Sequence, residues 1–469
     1  MEYVIGMVGL GVMGQNLALN MEGHGFSVVA YDIDPEKQEL AKNRFAGKQI
    51  RVVHTMDDFI RSLNTPKIIW MMVPAGQPVD ELIRTLKPHL RNGDILIDGG
   101  NSFFMDTQRR YQALKKDSIL FIGTGVSGGE EGALLGPSLM PGGDERAWEV
   151  MKPVFEAIAA KTDDGAVCAD WMGEGGAGHF VKMIHNGIEY ADMQMIAEAY
   201  FLMERLLRLS ARQMSTIFAE WNKGELESYL IEITARILAQ TDPQTGKPMT
   251  EVILDVAGQK GTGRWTSQTA LELGAPAQTI AEAVFARAMS ALKEERVTAA
   301  KILEGPGLSG DGSNNLSVGD IRQALYASKI CSYAQGFQLM RFANQQYGWQ
   351  LDFAGIAMIW RAGCIIRAKF LNRINRAFKK NPDLNNLLLD DYFRETIAGN
   401  QAAWRDVVSS AFKFGIPVPA FSSALTYYDS YRSDRLPANL LQAQRDYFGA
   451  HTYERVDRPR GQFFHTHWD

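Results

Sequence analysis

Val4-Ile-Gly-Met-Val8 runs directly into Gly9-Leu10-Gly11-Val12-Met13-Gly14, and an apolar-periodic stretch follows to about Met21. This order predicts an apolar strand, a turn with glycines at G-x-G-x-x-G spacing, and a helix. The three glycines serve different ends. Gly9 makes the tight turn, Gly11 lets the backbone approach a pyrophosphate, and Gly14 lets helix and strand pack closely. Leu10, Val12 and Met13 complete the loop around the phosphates, and the helix N-terminus turns N–H groups and positive potential toward them. A merely structural glycine turn is the alternative, and the next strand speaks against it. Residues 26–31 form a second apolar run that ends in Asp32-Ile33-Asp34-Pro35, with Asp32 18 positions after Gly14. An acceptor for the adenosine ribose hydroxyls belongs there. A carboxylate accepts hydrogen bonds from a free 2′-hydroxyl and repels a 2′-phosphate, so NAD is expected over NADP. Asp32 or Asp34 can also cap the helix that starts near Pro35.

Outward from this motif, short β-rich runs at 3–8, 27–31, 68–73, 95–98 and 119–122 alternate with amphipathic stretches. That rhythm predicts βαβ units around a parallel sheet, a Rossmann-like doubly wound domain over residues 1–176. From about Gly176 long helical periods take over, at 180–209, 277–303, 317–347 and 390–414, with a Gly-, Ser- and Asn-rich loop at 305–319. An all-helical domain is expected over 177–435. The segment 436–469, with Pro, Gly and polar residues at its end, predicts a tail rather than a packed element.

The chain has 469 residues, 46% of them hydrophobic, which suits two or three globular domains with sizeable cores. No apolar run approaches a membrane span, and the start lacks the basic region of a secretory signal, so a cytoplasmic protein is expected. Cys168, Cys331 and Cys364 are far apart and form no C-x-x-C pair, which argues against a disulfide framework or a structural zinc. A net charge of -5 gives no general reason to bind nucleic acid. Any anionic ligand must meet a local cluster of cations.

Lys182-Met-Ile-His185-Asn186-Gly-Ile-Glu189-Tyr190 places an amine, an imidazole, an amide, a carboxylate and a phenol at offsets of 0, 3, 4, 7 and 8. On a helix those offsets share one stripe, where ordinary amphipathic helices turn Leu or Val inward. The bland reading is a solvated face with an internal Lys-to-Glu pair; the sharper one is an acid–base stripe lining a ligand cavity. Asp98-Gly-Gly-Asn101-Ser102 and Gly123-Thr-Gly125-Val-Ser127-Gly128-Gly129-Glu130 both follow strands, at the carboxyl edge where open α/β sheets bind ligands. Their glycines expose backbone N–H groups, and Asn101 and Ser127 add side-chain donors. Lys260, Arg287, Arg445 and His451 read individually as surface charges.

Together these motifs resemble the decarboxylating 6-phosphogluconate dehydrogenase family, over essentially the full length. The carriers are Ile122-Gly-Thr-Gly-Val-Ser-Gly-Gly-Glu-Glu-Gly-Ala133, the segment Gly176 to Tyr190, Gly261-Thr-Gly-Arg-Trp-Thr266 and Gln442-Ala-Gln-Arg-Asp-Tyr-Phe-Gly-Ala-His-Thr-Tyr453. The wider β-hydroxyacid dehydrogenase group is similar in the first glycine motif and the spacing of Lys182 and Asn186. The resemblance implies oxidative decarboxylation of 6-phosphogluconate to ribulose 5-phosphate, the pentose phosphate reaction also used in gluconate utilisation, with no metal. It implies that Lys182 is the general base and Glu189 the acid that protonates C1 of the enediol. It further implies that Asn101, Ser127, Gly128, Gly129, His185 and Asn186 hold the sugar. Tyr190, Lys260, Thr262, Arg287 and Arg445 are implied to hold the phosphate with His451 close by, and Val73, Pro74, Ala75 and Asn101 to border the coenzyme. A homodimer is implied whose tails exchange, so that Arg445 and His451 serve the partner's site. NADP-using members of the family resemble one another in carrying Asn-Arg-Ser/Thr after the second strand, Ala at the middle glycine and Val-Lys-Ala-Gly near the coenzyme. This chain has Asp32-Ile33-Asp34, Gly11 and Val73-Pro74-Ala75-Gly76, and keeps only Lys37 of the cations. Other readings are a related 3-hydroxyacid dehydrogenase with a smaller substrate, which leaves the tail cations unexplained, and a non-catalytic NAD-binding sensor, which would typically have lost Lys182 or Glu189.

Overall fold

The computed structural model describes residues 3–306 and 316–468, which form two compact units that divide between Ala424 and Leu425. The expected loop at 305–319 lies, from 307 to 315, outside the described residues.

The first unit begins with seven strands: β1 (Ile5–Val8), β2 (Val28–Tyr31), β3 (Ile50–Val52), β4 (Ile68–Met71), β5 (Ile95–Asp98), β6 (Leu120–Ser127) and β7 (Ser138–Gly143). Their order is β3-β2-β1-β4-β5-β6-β7, parallel except for the antiparallel β6–β7 pair. This is the doubly wound sheet the sequence predicts, extended by two strands that the sequence did not announce, β3 and β7. Side chains alternate between two cores. Met7, Ala30, Trp70 and Ile97 pack on one face, and Val8, Val29, Met71 and Leu96 on the other. A strand whose every side chain meets a covering layer has no polar positions, which explains the near-continuous apolar runs. Burying each such aliphatic side chain stabilises the sheet by roughly 1.5–3 kcal/mol.

The long helix Ala177–Arg205 crosses directly over β6 and β7. A Cβ on Gly178 would lie 2.4 Å from the carbonyl oxygens of Gly123 and Met140, and one on Gly125 would lie 2.3 Å from Cβ of Lys182. Gly123 and Gly125 therefore serve helix–sheet approach inside β6 rather than ligand N–H presentation. Only Gly128 and Gly129, at φ +126° and +64°, form the glycine turn expected there. A second long helix, Val318–Tyr347, lies along the first; a Cβ on Gly336 would meet Ile188 at 2.5 Å. The two are tied by a fully buried ion pair, Lys329 Nζ to Asp192 Oδ2 at 2.5 Å. The helical period expected at 277–303 is two helices, Gln278–Ala291 and Lys293–Ala299, that break at Leu292. Cys168, Cys331 and Cys364 are buried free thiols. Among the described residues no helix is long and apolar enough to cross a membrane.

The second unit contains the helix Ala438–Gly449, where the sequence predicts an unpacked tail. Its composition misleads because one buried carboxylate organises the polar end. Asp446 accepts the N–H groups of Thr452 (3.0 Å) and Thr466 (3.0 Å) and the indole N–H of Trp468 (2.9 Å), and meets His465 Nδ1 at 2.9 Å. Burial works against the charge there, but these donors hold the carboxyl well below the usual range.

Candidate active site

The stripe on Ala177–Arg205 is buried rather than solvated. Lys182 and His185 are inaccessible but for 6% of the lysine, Tyr190 is buried, and Asn186 and Glu189 are half-buried. Lys182 Nζ stands 3.4 Å from His185 Nδ1, which also lies 3.0 Å from Asn186 Oδ1 and 3.8 Å from Glu189 Oε2. His185 Nε2 lies 3.2 Å from Ser127 Oγ at the end of β6. Burial, and secondarily the lysine, keep the imidazole well below its usual pKa, hence neutral. A neutral ring donates from Nδ1 to Asn186 and accepts the Ser127 hydroxyl proton at Nε2. Asn186 Nδ2 donates onward to Thr262 Oγ1 at 3.1 Å. One hydrogen-bonded chain thus joins the sheet edge to the helix Thr262–Leu273.

Burial shifts the two ends of the stripe in opposite directions. It lowers the Lys182 pKa, with the Glu189 charge opposing. It raises the Glu189 pKa, with Lys182 and Arg287 opposing. Desolvation thus moves each toward its neutral form, the amine toward accepting a proton and the carboxyl toward giving one.

The cationic corner forms one turn further along. The Arg287 guanidinium lies 3.5 Å from the Tyr190 ring centroid and donates to the Gly258 carbonyl at 3.1 Å. It thereby anchors the loop that exposes Lys260. A Cβ on Gly263 would lie 2.5 Å from the Tyr190 ring, so this glycine admits the ring. Tyr190, Thr262 and Arg287 thus belong to one cluster, with Lys260 exposed on the loop that precedes Thr262. Arg445 and His451 lie exposed in the second unit, where Arg445 donates to Gln442 Oε1 at 3.1 Å.

The cleft over β1, β2, β4 and β5 passes a direct test of fit for a dinucleotide. A Cβ on Gly14 would lie 1.9 Å from the Gly9 carbonyl oxygen, and Gly9 sits at φ +100°, so both positions demand glycine. A Cβ on Gly11 would meet nothing within 4 Å, which leaves an open approach to the backbone at the start of the helix Val12–Gly23. Asp32 is buried and accepts the N–H groups of Leu10 (2.6 Å) and Asp34 (2.9 Å), which locks the glycine turn to the end of β2. Asp34, not Asp32, caps the helix Pro35–Arg44 by accepting from Glu36 N–H at 3.0 Å. Ile33 is 86% exposed beside it. Lys37 pairs with Asp34 at 3.7 Å.

Sequence reasoning missed the clamp behind Asn101. Asp98 accepts the Gly100 N–H (3.1 Å) and the Ser102 hydroxyl (2.6 Å), fixing the loop that exposes Asn101. Arg110, 2% exposed, reaches Asp98 and Ser102 at 3.4 Å, both oxygens of Asp80 at 3.0 Å and the Gly76 carbonyl at 2.9 Å. It lowers Asp80 to about 2. One guanidinium thereby joins the loop of Val73, Pro74 and Ala75 to the loop of Asn101. The partners lie up to 34 positions apart, and no local pattern signals them.

The sequence model of the 6-phosphogluconate dehydrogenase C-terminal domain matches residues 178–468, and that of the NAD binding domain of 6-phosphogluconate dehydrogenase matches residues 4–173. This chain belongs to the 6-phosphogluconate dehydrogenase family. It is 56% identical to the NADP(+)-dependent, decarboxylating 6-phosphogluconate dehydrogenase of Bacillus subtilis, covering 99% of this chain and 98% of that one. It is 54% identical to the decarboxylating 6-phosphogluconate dehydrogenase of Mus musculus, covering 99% and 96%. Among solved structures, the Plasmodium falciparum 6-phosphogluconate dehydrogenase, described apo, with NADP+ and with 6-phosphogluconate, superposes with a TM-score of 0.95 at 41% identity, covering 99% of this chain and all of that one.

Proposed function

We propose that this enzyme oxidatively decarboxylates 6-phospho-D-gluconate to D-ribulose 5-phosphate and CO2, with NAD as its preferred coenzyme and NADP as the weaker one. The observation that carries the reading is the buried Lys182 and the half-buried Glu189 on one helix face, 3.4 and 3.8 Å from His185 Nδ1, with burial moving each toward its neutral form. A bound nicotinamide dinucleotide would accept the hydride from C3 of the substrate. Gly9, Leu10, Gly11, Val12, Met13 and Gly14 would hold its pyrophosphate, Asp32, Ile33 and Asp34 its adenosine, and Val73, Pro74, Ala75 and Asn101 the nicotinamide side.

Lys182 Nζ, its pKa lowered by burial, takes the proton of the 3-hydroxyl as the carbonyl forms. The resulting ammonium stays against that oxygen and stabilises the negative charge that develops as the β-keto acid loses CO2. Glu189 then delivers its proton to C1 of the enediol. Asn101, Ser127, Gly128, Gly129, His185 and Asn186 orient the carboxylate and hydroxyls. Tyr190, Lys260, Thr262 and Arg287 hold the phosphate. Arg445 and His451 complete the partner's site in a homodimer with exchanged tails; the exposed Leu440, Leu441, Tyr447 and Phe448 of the second unit supply an apolar surface for such an exchange. Three buried free thiols suit a reducing, cytoplasmic setting.

The NAD preference is supported by Asp32 at the ribose position, by an exposed Ile33 where NADP-using members carry arginine, and by a Lys37 already paired with Asp34. The test is an assay of reduced coenzyme and CO2 from 6-phosphogluconate without added metal, with NAD and NADP side by side. The reading expects equimolar products and a higher kcat/KM with NAD. Equal values or an NADP preference refute the coenzyme assignment, and turnover of a small 3-hydroxy acid in place of 6-phosphogluconate refutes the substrate.

A further inference from the structure

A cavity of about 570 Å³ is bordered by Arg361, Ala362 and Arg367 of the segment 360–367. Its floor is a backbone ladder: Tyr229 N–H donates to the Arg367 carbonyl at 3.1 Å, and Lys369 N–H to the Glu227 carbonyl at 2.9 Å. The Arg367 guanidinium stacks 3.6 Å above the Tyr229 ring and donates to the Cys364 carbonyl at 2.8 Å. One wall comes from the loop after the sheet, held by Arg361, which reaches both oxygens of Asp164 at 2.9 and 3.2 Å.

Most of the lining carboxylates are already matched. Asp164 pairs with Arg361, Glu227 with Lys369 at 3.2 Å, and Glu232 with Arg236 outside the cavity. That leaves Lys161, Arg367 and Arg376 against Asp163, an excess of two positive charges in a polar recess that Asn222, Ser228 and Asn372 also border. A phosphate monoester carries about -1.5 to -2 at neutral pH, and a volume of this size accommodates a phosphorylated sugar-sized molecule.

The segment 360–367 borders the cavity and also touches the reaction site. The Gly363 carbonyl accepts Ser138 N–H at 2.8 Å and lies where a Cβ on Gly128 would come within 2.6 Å of it. The Trp360 ring meets His185 edge-on at 5.6 Å. A ligand that draws Arg367 toward itself acts on a segment that touches both the substrate glycine turn and the imidazole.

We propose that this cavity is a second anion site, taking inorganic phosphate and small phosphate monoesters and coupled through residues 360–367 to substrate affinity. Lys161 and Arg376 are exposed and touch nothing in the reaction site, which makes Lys161→Glu with Arg376→Glu the discriminating variant. Equilibrium dialysis with labelled inorganic phosphate, in saturating NADH to fill the pyrophosphate cradle and with and without 6-phosphogluconate, counts sites on the full-length protein whatever its activity. The proposal expects two classes of phosphate site per chain in the wild type and one in the variant, with at least a tenfold loss of the second. It also expects unchanged kcat and KM without phosphate, and a wild-type mixed phosphate effect on 6-phosphogluconate kinetics that the variant lacks. A single class in the wild type, two classes surviving in the variant, or purely competitive inhibition in both proteins would overturn it.

Discussion

The reaction stripe and the coenzyme rim are built on opposite plans. Lys182, His185 and Ser127 are enclosed by protein, and their spacing is set by helix, sheet and glycine contacts before any ligand arrives. At the rim, Gly11, Val12 and Ile33 face solvent, and the buried Asp32 beside them accepts the backbone N–H groups of Leu10 and Asp34. Enclosure tunes protonation, because burial moves the lysine and the glutamate toward neutrality. Exposure leaves selectivity to a few replaceable side chains. Changes in the first region should therefore cost turnover, and changes in the second should redirect coenzyme choice.

The largest expected effect is that of Lys182→Met. Removing the base should cut kcat by about 10²–10⁴, while 6-phosphogluconate affinity, read by titration, stays within a few-fold. Near-normal kcat would show that enclosure of the amine has no catalytic purpose. Next comes Gly125→Ala, which places a methyl 2.3 Å from the lysine Cβ. A displacement of about 1 Å is enough for a roughly 10²-fold loss, and steady-state kinetics with an unchanged thermal midpoint would assign it to positioning rather than unfolding.

At the rim, Asp32→Asn with Ile33→Arg should shift the NADP-to-NAD ratio of kcat/KM upward by at least about tenfold, or about 1.4 kcal/mol, with kcat at saturating coenzyme nearly unchanged. A fall in kcat instead would mean that the rim and the stripe are not separable. The smallest effect is expected of Arg110→Lys, which keeps the charge but loses the forked contacts to Asp80, Asp98 and Gly76. It should raise coenzyme KM several-fold more than it lowers kcat; an equal loss in both would make the clamp merely structural.

Local patterns were enough to read the parts of both regions that depend on short spacing. The glycine turn, the acidic end of β2 and the stripe at offsets 0, 3, 4, 7 and 8 each lie within one element and its flanks. What stayed hidden depends on distant partners. Antiparallel β7 pairs with β6 through residues with little strand character, Pro141, Gly142 and Gly143 among them. The Arg110 clamp joins two loops and the helix that carries Asp80. The glycines of β6 looked like anion-binding turns because nothing local shows that a helix crosses over them. The C-terminal helix was masked by a polar composition that Asp446 satisfies from inside.

The central claim is a division of labour along the stripe, with Lys182 serving oxidation and decarboxylation and Glu189 serving the protonation that follows. A single-turnover measurement of coenzyme reduction in Glu189→Gln tests it most directly. The account predicts a rapid burst close to one equivalent per site, followed by a steady state slowed by about 10²-fold or more. A first turnover as slow as the later ones, with no burst, would contradict it.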